Sequence, residues 1–152
     1  QVPYNKIEPS KENECLMEMN KEFALIEDSL IQTYIDTSRF SFTTTNTGLR
    51  YSIVSKGNGT KAAMGDEITY KYSVRQLTGE SCEKMLDQTR TVSLGKNDLE
   101  RGFREALQLL EVSSTGVFLM PSFLAYGVIG VPKCIPSWTP VVCTITLIDV
   151  GK

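Results

Sequence analysis

From residue 68 to residue 75 the chain alternates without a break: Ile68, Tyr70, Tyr72 and Val74 are apolar or aromatic, while Thr69, Lys71, Ser73 and Arg75 are polar. Side chains on a strand point to opposite faces in turn, so this pattern specifies a strand with one buried and one solvated face. Such a strand needs partners. Leu49, Tyr51 and Ile53 alternate with polar neighbours, residues 91–94 make a short run, and residues 117–120 make another that Pro121 stops. Val141, Cys143, Ile145 and Leu147 alternate near the end of the chain. Gly-containing turns at residues 56–59, 65–66 and 78–80 separate the early runs. A loop over residues 127–140, with prolines at 132, 136 and 140, precedes the last one. The pattern is that of an antiparallel sheet.

Two stretches follow the helical period instead. Phe103, Ala106, Leu107 and Leu110 fall on one face of a short helix. Asn97 with Glu100 three residues on reads as a capping box that places Glu100 inside the first turn. Nearer the start, Leu16, Met19, Phe23, Ile26, Leu30 and Tyr34 recur at steps of three and four, a stripe on a helix of roughly 25 residues. Ser10 is its candidate N-cap, and Glu12 and Glu14 suit the positive end of the dipole. Burial of Leu16, Phe23 and Leu30 against the same chain is favoured over a coiled-coil dimer seam, so a monomer is expected. Residues 1–46 are read as a lead and amphipathic helix, and residues 47–152 as an α+β domain with one short helix packed on its sheet.

Composition narrows the chemistry. The chain has no histidine, which removes Ser-His-Asp triads, Cys-His dyads and His-ligated zinc together. Acidic and basic residues, 18 against 16, are interspersed. This leaves no basic footprint for nucleic acid and no polybasic membrane patch. No apolar run approaches the ~18–20 residues that span a bilayer. Cys15, Cys82, Cys134 and Cys143 contain no CxxC pair, so no metal or cofactor is called for. They are open to pairing as two disulfides in an oxidising compartment, but the spacing favours four free thiols acting as small hydrophobes. The sequence begins at Gln1, which suggests a processed or truncated form, with membrane attachment only through a removed or lipidated N-terminus.

Three stretches in order resemble the FKBP family of peptidyl-prolyl isomerases. They are Gly65-Asp66 with the strand bearing Tyr72; Leu94-Gly95 through Arg101-Gly102-Phe103-Arg104-Glu105-Ala106-Leu107; and Leu124-Ala125-Tyr126-Gly127 with Gly130, Ile135-Pro136 and the closing strand. The N-terminal part, down to Gly48-Leu49-Arg50-Tyr51, also resembles exported lipoprotein members from Bacteroidetes-type bacteria, gliding-motility relatives included. The resemblance implies a curved, five-stranded antiparallel sheet wrapped around one short helix, and an apolar pocket between them. It further implies action on X-Pro bonds of polypeptides and a place in the bacterial cell envelope, as a periplasmic protein or an outer-membrane lipoprotein.

Carried over residue by residue, the resemblance makes Tyr126, Phe103 and Tyr72 the catalytic set. Cys82, Glu83, Leu99, Glu100, Ile135 and Cys143 then line the substrate. Tyr126 would donate its hydroxyl to a substrate carbonyl, the Glu100 N–H would bind another, and Phe103 would form the floor. Prolyl isomerisation needs no nucleophile, metal or proton transfer, because the barrier is amide resonance of ~18–20 kcal/mol. Cys82-Glu83 stands where the family carries an aromatic residue and aspartate, and Cys143 where it carries phenylalanine. The expectation is therefore a weak isomerase. A peptide-binding folding helper or an envelope scaffold on the same fold are the alternatives.

Overall fold

The computed structural model describes residues 9–95, 99–127 and 130–151; in the N-terminal helix, side chains are described for Glu22 and from Ala24 onward. A long helix, α1 (Pro9–Thr37), leads into a two-residue strand β1 (Thr43–Thr44) and then β2 (Arg50–Ser55) and β3 (Glu67–Gln76). After a 3-10 turn at Glu83–Met85 come β4 (Gln88–Ser93), α2 (Arg101–Leu109), β5 (Thr115–Met120), a second 3-10 turn at Ser122–Leu124, and β6 (Val141–Gly151). The strands form one sheet in the order β1-β2-β5-β6-β3-β4. Every neighbouring pair is antiparallel. The sheet has six strands where five were expected, the addition being the two-residue β1 at its edge.

The alternation in β3 is realised as read: Ile68, Tyr70, Tyr72 and Val74 are buried and the residues between them are not. Facing them in register on β6 are Cys143 opposite Val74, Ile145 opposite Tyr72 and Leu147 opposite Tyr70. This face carries α2, whose Phe103, Ala106 and Leu107 are fully buried in the same cluster. Phe103 and Leu107 each give ~1.5–3 kcal/mol on leaving water, enough to fix a nine-residue helix that could not persist alone. Gly102 allows the close approach: a Cβ there would lie 2.6 Å from Met120 Sδ and 2.8 Å from the Leu124 carbonyl oxygen.

On the other face of the sheet α1 packs on β5 and the start of β6. Ile31 is fully buried among Val117, Leu119 and Val142, with Tyr34 and Ile35 packed beside it. An ion pair between Asp28 and Arg50 ties the helix to β2. The predicted stripe is therefore misplaced in its C-terminal half. Ile26 and Leu30 are about half exposed; Tyr34, the last residue of the stripe, does turn inward, and with it Glu27, Ile31 and Ile35 rather than Ile26 and Leu30. Leu16, Met19 and Phe23 lie outside the described side chains. Ser10 already lies within the described helix rather than capping it.

The cysteines need a further correction. Cys82 and Cys134 form a disulfide with a Cα–Cα distance of 5.4 Å, so the reading of four free thiols fails. Cys82 immediately precedes the 3-10 turn, and its disulfide reaches the loop before β6. Cys143 is free and buried, while Cys15 lies outside the described side chains.

Candidate active site

The inner face of β3 and the start of α2 bring three rings together. The centroids of Tyr72 and Phe103 are 5.5 Å apart in an edge-to-face arrangement, those of Tyr70 and Tyr72 are 5.5 Å apart, and those of Tyr70 and Phe103 are 6.2 Å apart. These separations lie in the favourable range for aromatic pairs. Phe103 is fully buried beneath the cluster, with Leu99 and Ile135 buried in the same core.

Arg90 enters this site from β4. It stands opposite Tyr70 in the ladder. Its guanidinium lies 4.9 Å from the Tyr72 ring centroid and 5.9 Å from that of Tyr70. It also donates a hydrogen bond to the Tyr72 hydroxyl at 2.8 Å. Burial works against its charge, but Tyr70, Tyr72 and Glu100 together outweigh that and raise its pKa. The Tyr70 hydroxyl is buried without a hydrogen-bond partner among the described residues. Burial chiefly pushes it up to about 12, against the opposing pull of Arg90.

Tyr126 closes the site from the loop after β5. Burial is the main cause that raises its pKa far above the tyrosine range, and Cys143, Glu100 and Tyr72 add to it. A tyrosine hydroxyl is protonated at neutral pH in any case and can donate. Its backbone is held on both sides. Ala125 and Gly127 N–H both donate to the Ser122 carbonyl, at 3.0 and 2.8 Å, and Gly130 N–H donates to the Tyr126 carbonyl at 2.9 Å. Gly127 takes φ +58°, a left-handed conformation that suits glycine.

Glu100 occupies the N-cap of α2, with φ −55° and ψ 142°, and makes no side-chain cap bond. This corrects the capping-box reading, which put it inside the first turn of the helix; Asn97 lies outside the described residues. The Glu100 carbonyl accepts the Arg104 N–H at 3.1 Å, while its own N–H makes no hydrogen bond among the described residues. That N–H belongs to the set that every helix start leaves open. The Glu100 carboxylate has one oxygen buried without a partner among the described residues.

Of the nine residues expected at the site, Tyr72, Leu99, Phe103, Ile135 and Cys143 share one buried cluster, and Tyr126 packs against it. Glu100 joins them electrostatically, through its influence on Tyr126 and Cys143. Cys143 does not stand open to a ligand. It is fully buried, its thiol 3.9 Å from Met120 Sδ, and burial raises its pKa well above the thiol range. Cys82 packs at the edge of the cluster and is spent in the disulfide. Glu83 is exposed on the 3-10 turn and is not brought into the cluster. A cleft of about 490 Å³ lies beside Ile135, lined by Gln76, Glu80, Lys133 and the disulfide among others. Its lining includes none of Tyr72, Phe103 or Tyr126. Arg90, Tyr70 and Cys134 were not expected here. Arg90 was findable, because it shares the inward face of β4 with Val92.

Among the described residues no group of three or more His, Cys, Asp or Glu could hold a metal ion, and no helix is long and apolar enough to cross a membrane. The fold has solved counterparts: it aligns with FkpA from Escherichia coli at a TM-score of 0.69 and 21% identity, over 96% of this chain and 74% of that one. In sequence it is 26% identical over 105 residues to the peptidyl-prolyl cis-trans isomerase Mip of Coxiella burnetii, covering 69% of this chain and 46% of Mip. It is 30% identical over 105 residues to the outer membrane protein MIP of Legionella longbeachae, covering 69% of this chain and 45% of that protein. The chain thus spans about half the length of these curated relatives. The family model for FKBP-type peptidyl-prolyl cis-trans isomerases matches residues 58–148, the segment that holds the aromatic cluster, Arg90, α2 and Tyr126. On that match the chain belongs to the FKBP-type peptidyl-prolyl cis-trans isomerase family.

Proposed function

We propose that this chain is a peptidyl-prolyl cis-trans isomerase acting on X-Pro bonds of polypeptides, without covalent chemistry or cofactor, and slow for its family. The observation that carries the reading is the packing of Tyr126 against the buried cluster that holds Tyr72 and Phe103, whose rings meet edge to face 5.5 Å apart. An X-Pro amide twisted out of plane loses its resonance, so its carbonyl becomes ketone-like and its nitrogen pyramidal. A site of low polarity favours that less delocalised form. The Tyr126 hydroxyl and the Glu100 N–H would hold the flanking carbonyls while the proline ring lies on Phe103. An acceleration of 10⁴-fold asks for about 5.4 kcal/mol of such preference.

The slow rate follows from what replaces apolar surface. A sulfur pair, Cys143 near the start of β6 with Met120 at the end of β5, stands where the resemblance expects a ring. Arg90 brings a charge against the floor. Losing ~1–3 kcal/mol of buried ring contact corresponds to roughly 5- to 150-fold in rate if it acts on the transition state. These same replacements favour the second reading, a module that binds proline-containing peptides and turns them over poorly.

Residues 47–152 form the isomerase unit in this proposal, with residues 1–46 as its extension. In this proposal the protein works in the bacterial cell envelope, as its resemblance to exported lipoproteins of Bacteroidetes type implies, and as a monomer. The Cys82–Cys134 disulfide supports an oxidising compartment, since such bonds rarely persist in a reducing cytosol. A protease-coupled assay on a proline-containing peptide tests the activity, comparing the wild type with Tyr126→Phe and Phe103→Leu. Acceleration that both substitutions reduce supports the isomerase. Binding of the peptide without acceleration supports the second reading. Neither binding nor acceleration by folded protein defeats both.

A further inference from the structure

Glu27 is an acidic side chain only 4% exposed, on the face of α1 that meets the domain. Burying a carboxylate is costly unless its oxygens are hydrogen-bonded. Both oxygens find their partner in one residue 95 positions downstream: Oε1 accepts the Ser122 N–H and Oε2 accepts the Ser122 hydroxyl, each at 2.6 Å. Ser122 is the residue whose carbonyl takes the N–H groups of Ala125 and Gly127. These are the two neighbours of Tyr126. A continuous hydrogen-bonded path therefore runs from α1 to the backbone on both sides of that tyrosine. Its outer end is fixed as well, since Asp28 pairs with Arg50 and Ile31, one turn on, is fully buried.

We propose that Glu27 is a positioning residue for Tyr126, acting through Ser122. The inference rests on the reading above, in which the Tyr126 hydroxyl holds a substrate carbonyl. Glu27 lies outside the residues 58–148 that the family model covers, so the family domain borrows this support from its extension. Charge-assisted bonds to one N–H and one hydroxyl fix both the position and the rotation of Ser122. The 3-10 turn Ser122–Leu124 is pinned on its other side by the close approach of Gly102 to the Leu124 carbonyl. A small displacement of a binding group can cost ~10²-fold in rate, so support of this kind bears on turnover.

The test uses the full chain with Glu27→Ala, Glu27→Gln, Tyr126→Phe and the Glu27→Ala/Tyr126→Phe double variant. Readouts are kcat and KM determined separately and hydrogen exchange at the Ala125 and Gly127 amides. Glu27→Ala is expected to lower kcat about 10- to 100-fold with a smaller change in KM, and to speed exchange at both amides. Glu27→Gln, whose carbonyl can accept the N–H and whose amide can donate to the Ser122 oxygen, is expected to restore most of the rate. In the Tyr126→Phe background Glu27→Ala should cost little more, because the two act as one unit. Lowered stability with unchanged kcat, or full additivity with Tyr126→Phe, overturns the proposal. So does unaltered exchange at the two amides. An inactive wild type sinks the isomerase reading alone, and the exchange measurement still decides whether Glu27 orders the turn. If Glu27→Ala does not fold, Ser122→Ala removes the hydroxyl contact alone, and a loss of a few-fold in kcat is then expected; no loss overturns the proposal.

Discussion

The Arg90 guanidinium lies 4.9 Å from the ring centroid of Tyr72 and donates a hydrogen bond of 2.8 Å to that ring's hydroxyl. One cation thus makes a face contact and an edge contact with the same tyrosine, in the wall of the candidate site. Removing it should loosen the aromatic cluster. Arg90→Met is expected to destabilise the fold by about 1–3 kcal/mol in urea unfolding, the combined size of a half-buried cation–π contact and one charged hydrogen bond. Because Arg90 holds the Tyr70 pKa down against burial, the same variant should move Tyr70 above its present value of about 12 in an ultraviolet titration. A downward shift would contradict the placement of Arg90.

The Tyr70 hydroxyl is buried and lacks a hydrogen bond among the described residues, so it costs stability rather than adding to it. Tyr70→Phe is expected to be neutral or stabilising by up to about 1 kcal/mol. The pH dependence has a definite sign. The folded pKa of Tyr70 is raised from 10.0 to about 12, so stability is fully present below pH 10 and is lost as pH climbs towards 12, where the unfolded chain releases its proton first. The raised pKa values of Tyr126 and Cys143 act in the same direction. Chemical unfolding between pH 8 and 11.5 should show this decline, and Tyr70→Phe should make it shallower.

Reduction of Cys82–Cys134 should destabilise the domain. The bond links residues 52 positions apart, and cross-links of this size contribute ~2–4 kcal/mol, chiefly by restricting the unfolded chain. Dithiothreitol and the Cys82→Ser/Cys134→Ser double variant should lower the denaturant midpoint equally. Peptide mapping under non-reducing conditions should link residues 82 and 134 and find Cys143 alkylated only after unfolding. A Cys82–Cys143 link would contradict the Cys82–Cys134 pairing.

The docking of α1 can be read from two adjacent residues. Ile31→Ala opens a cavity against Val117, Leu119 and Val142 and should cost about 2–4 kcal/mol. Leu30→Ala, half exposed, should cost less than about 1 kcal/mol. Equal losses would place the helix in a different rotation.

These two residues also show where sequence reasoning reached its limit. Strand alternation around Tyr72 and the helical period from Phe103 to Leu107 are local signals, and the structure realises both in the expected places. The rotation of α1 is not local. Its inward face includes Glu27, a carboxylate whose burial depends on Ser122 far along the chain, so an apolar stripe drawn through Ile26 and Leu30 misses it. The capping box failed for a related reason. Glu100 matches the template by spacing, but the chain enters α2 through an extended conformation at that residue, and the site uses it as the helix start. Pairing of Cys82 with Cys134 is set by the fold that brings the loop before β6 beside the 3-10 turn, and spacing carries no record of it. Arg90 was legible but passed over, since a charged residue in a short strand reads as solvated until its alternation with Val92 is followed inward.

The central claim is that this fold, with Tyr126 packed against the cluster that holds Tyr72 and Phe103, lowers the barrier of an X-Pro bond. The most direct measurement is exchange spectroscopy by nuclear magnetic resonance on a short X-Pro peptide with a substoichiometric amount of the folded chain. Uncatalysed exchange takes tens to hundreds of seconds and gives no cross-peaks between cis and trans signals on a sub-second mixing time. The account predicts cross-peaks that grow with protein concentration and fade in Tyr126→Phe. Cis and trans signals that stay unconnected with folded wild-type protein present would contradict it.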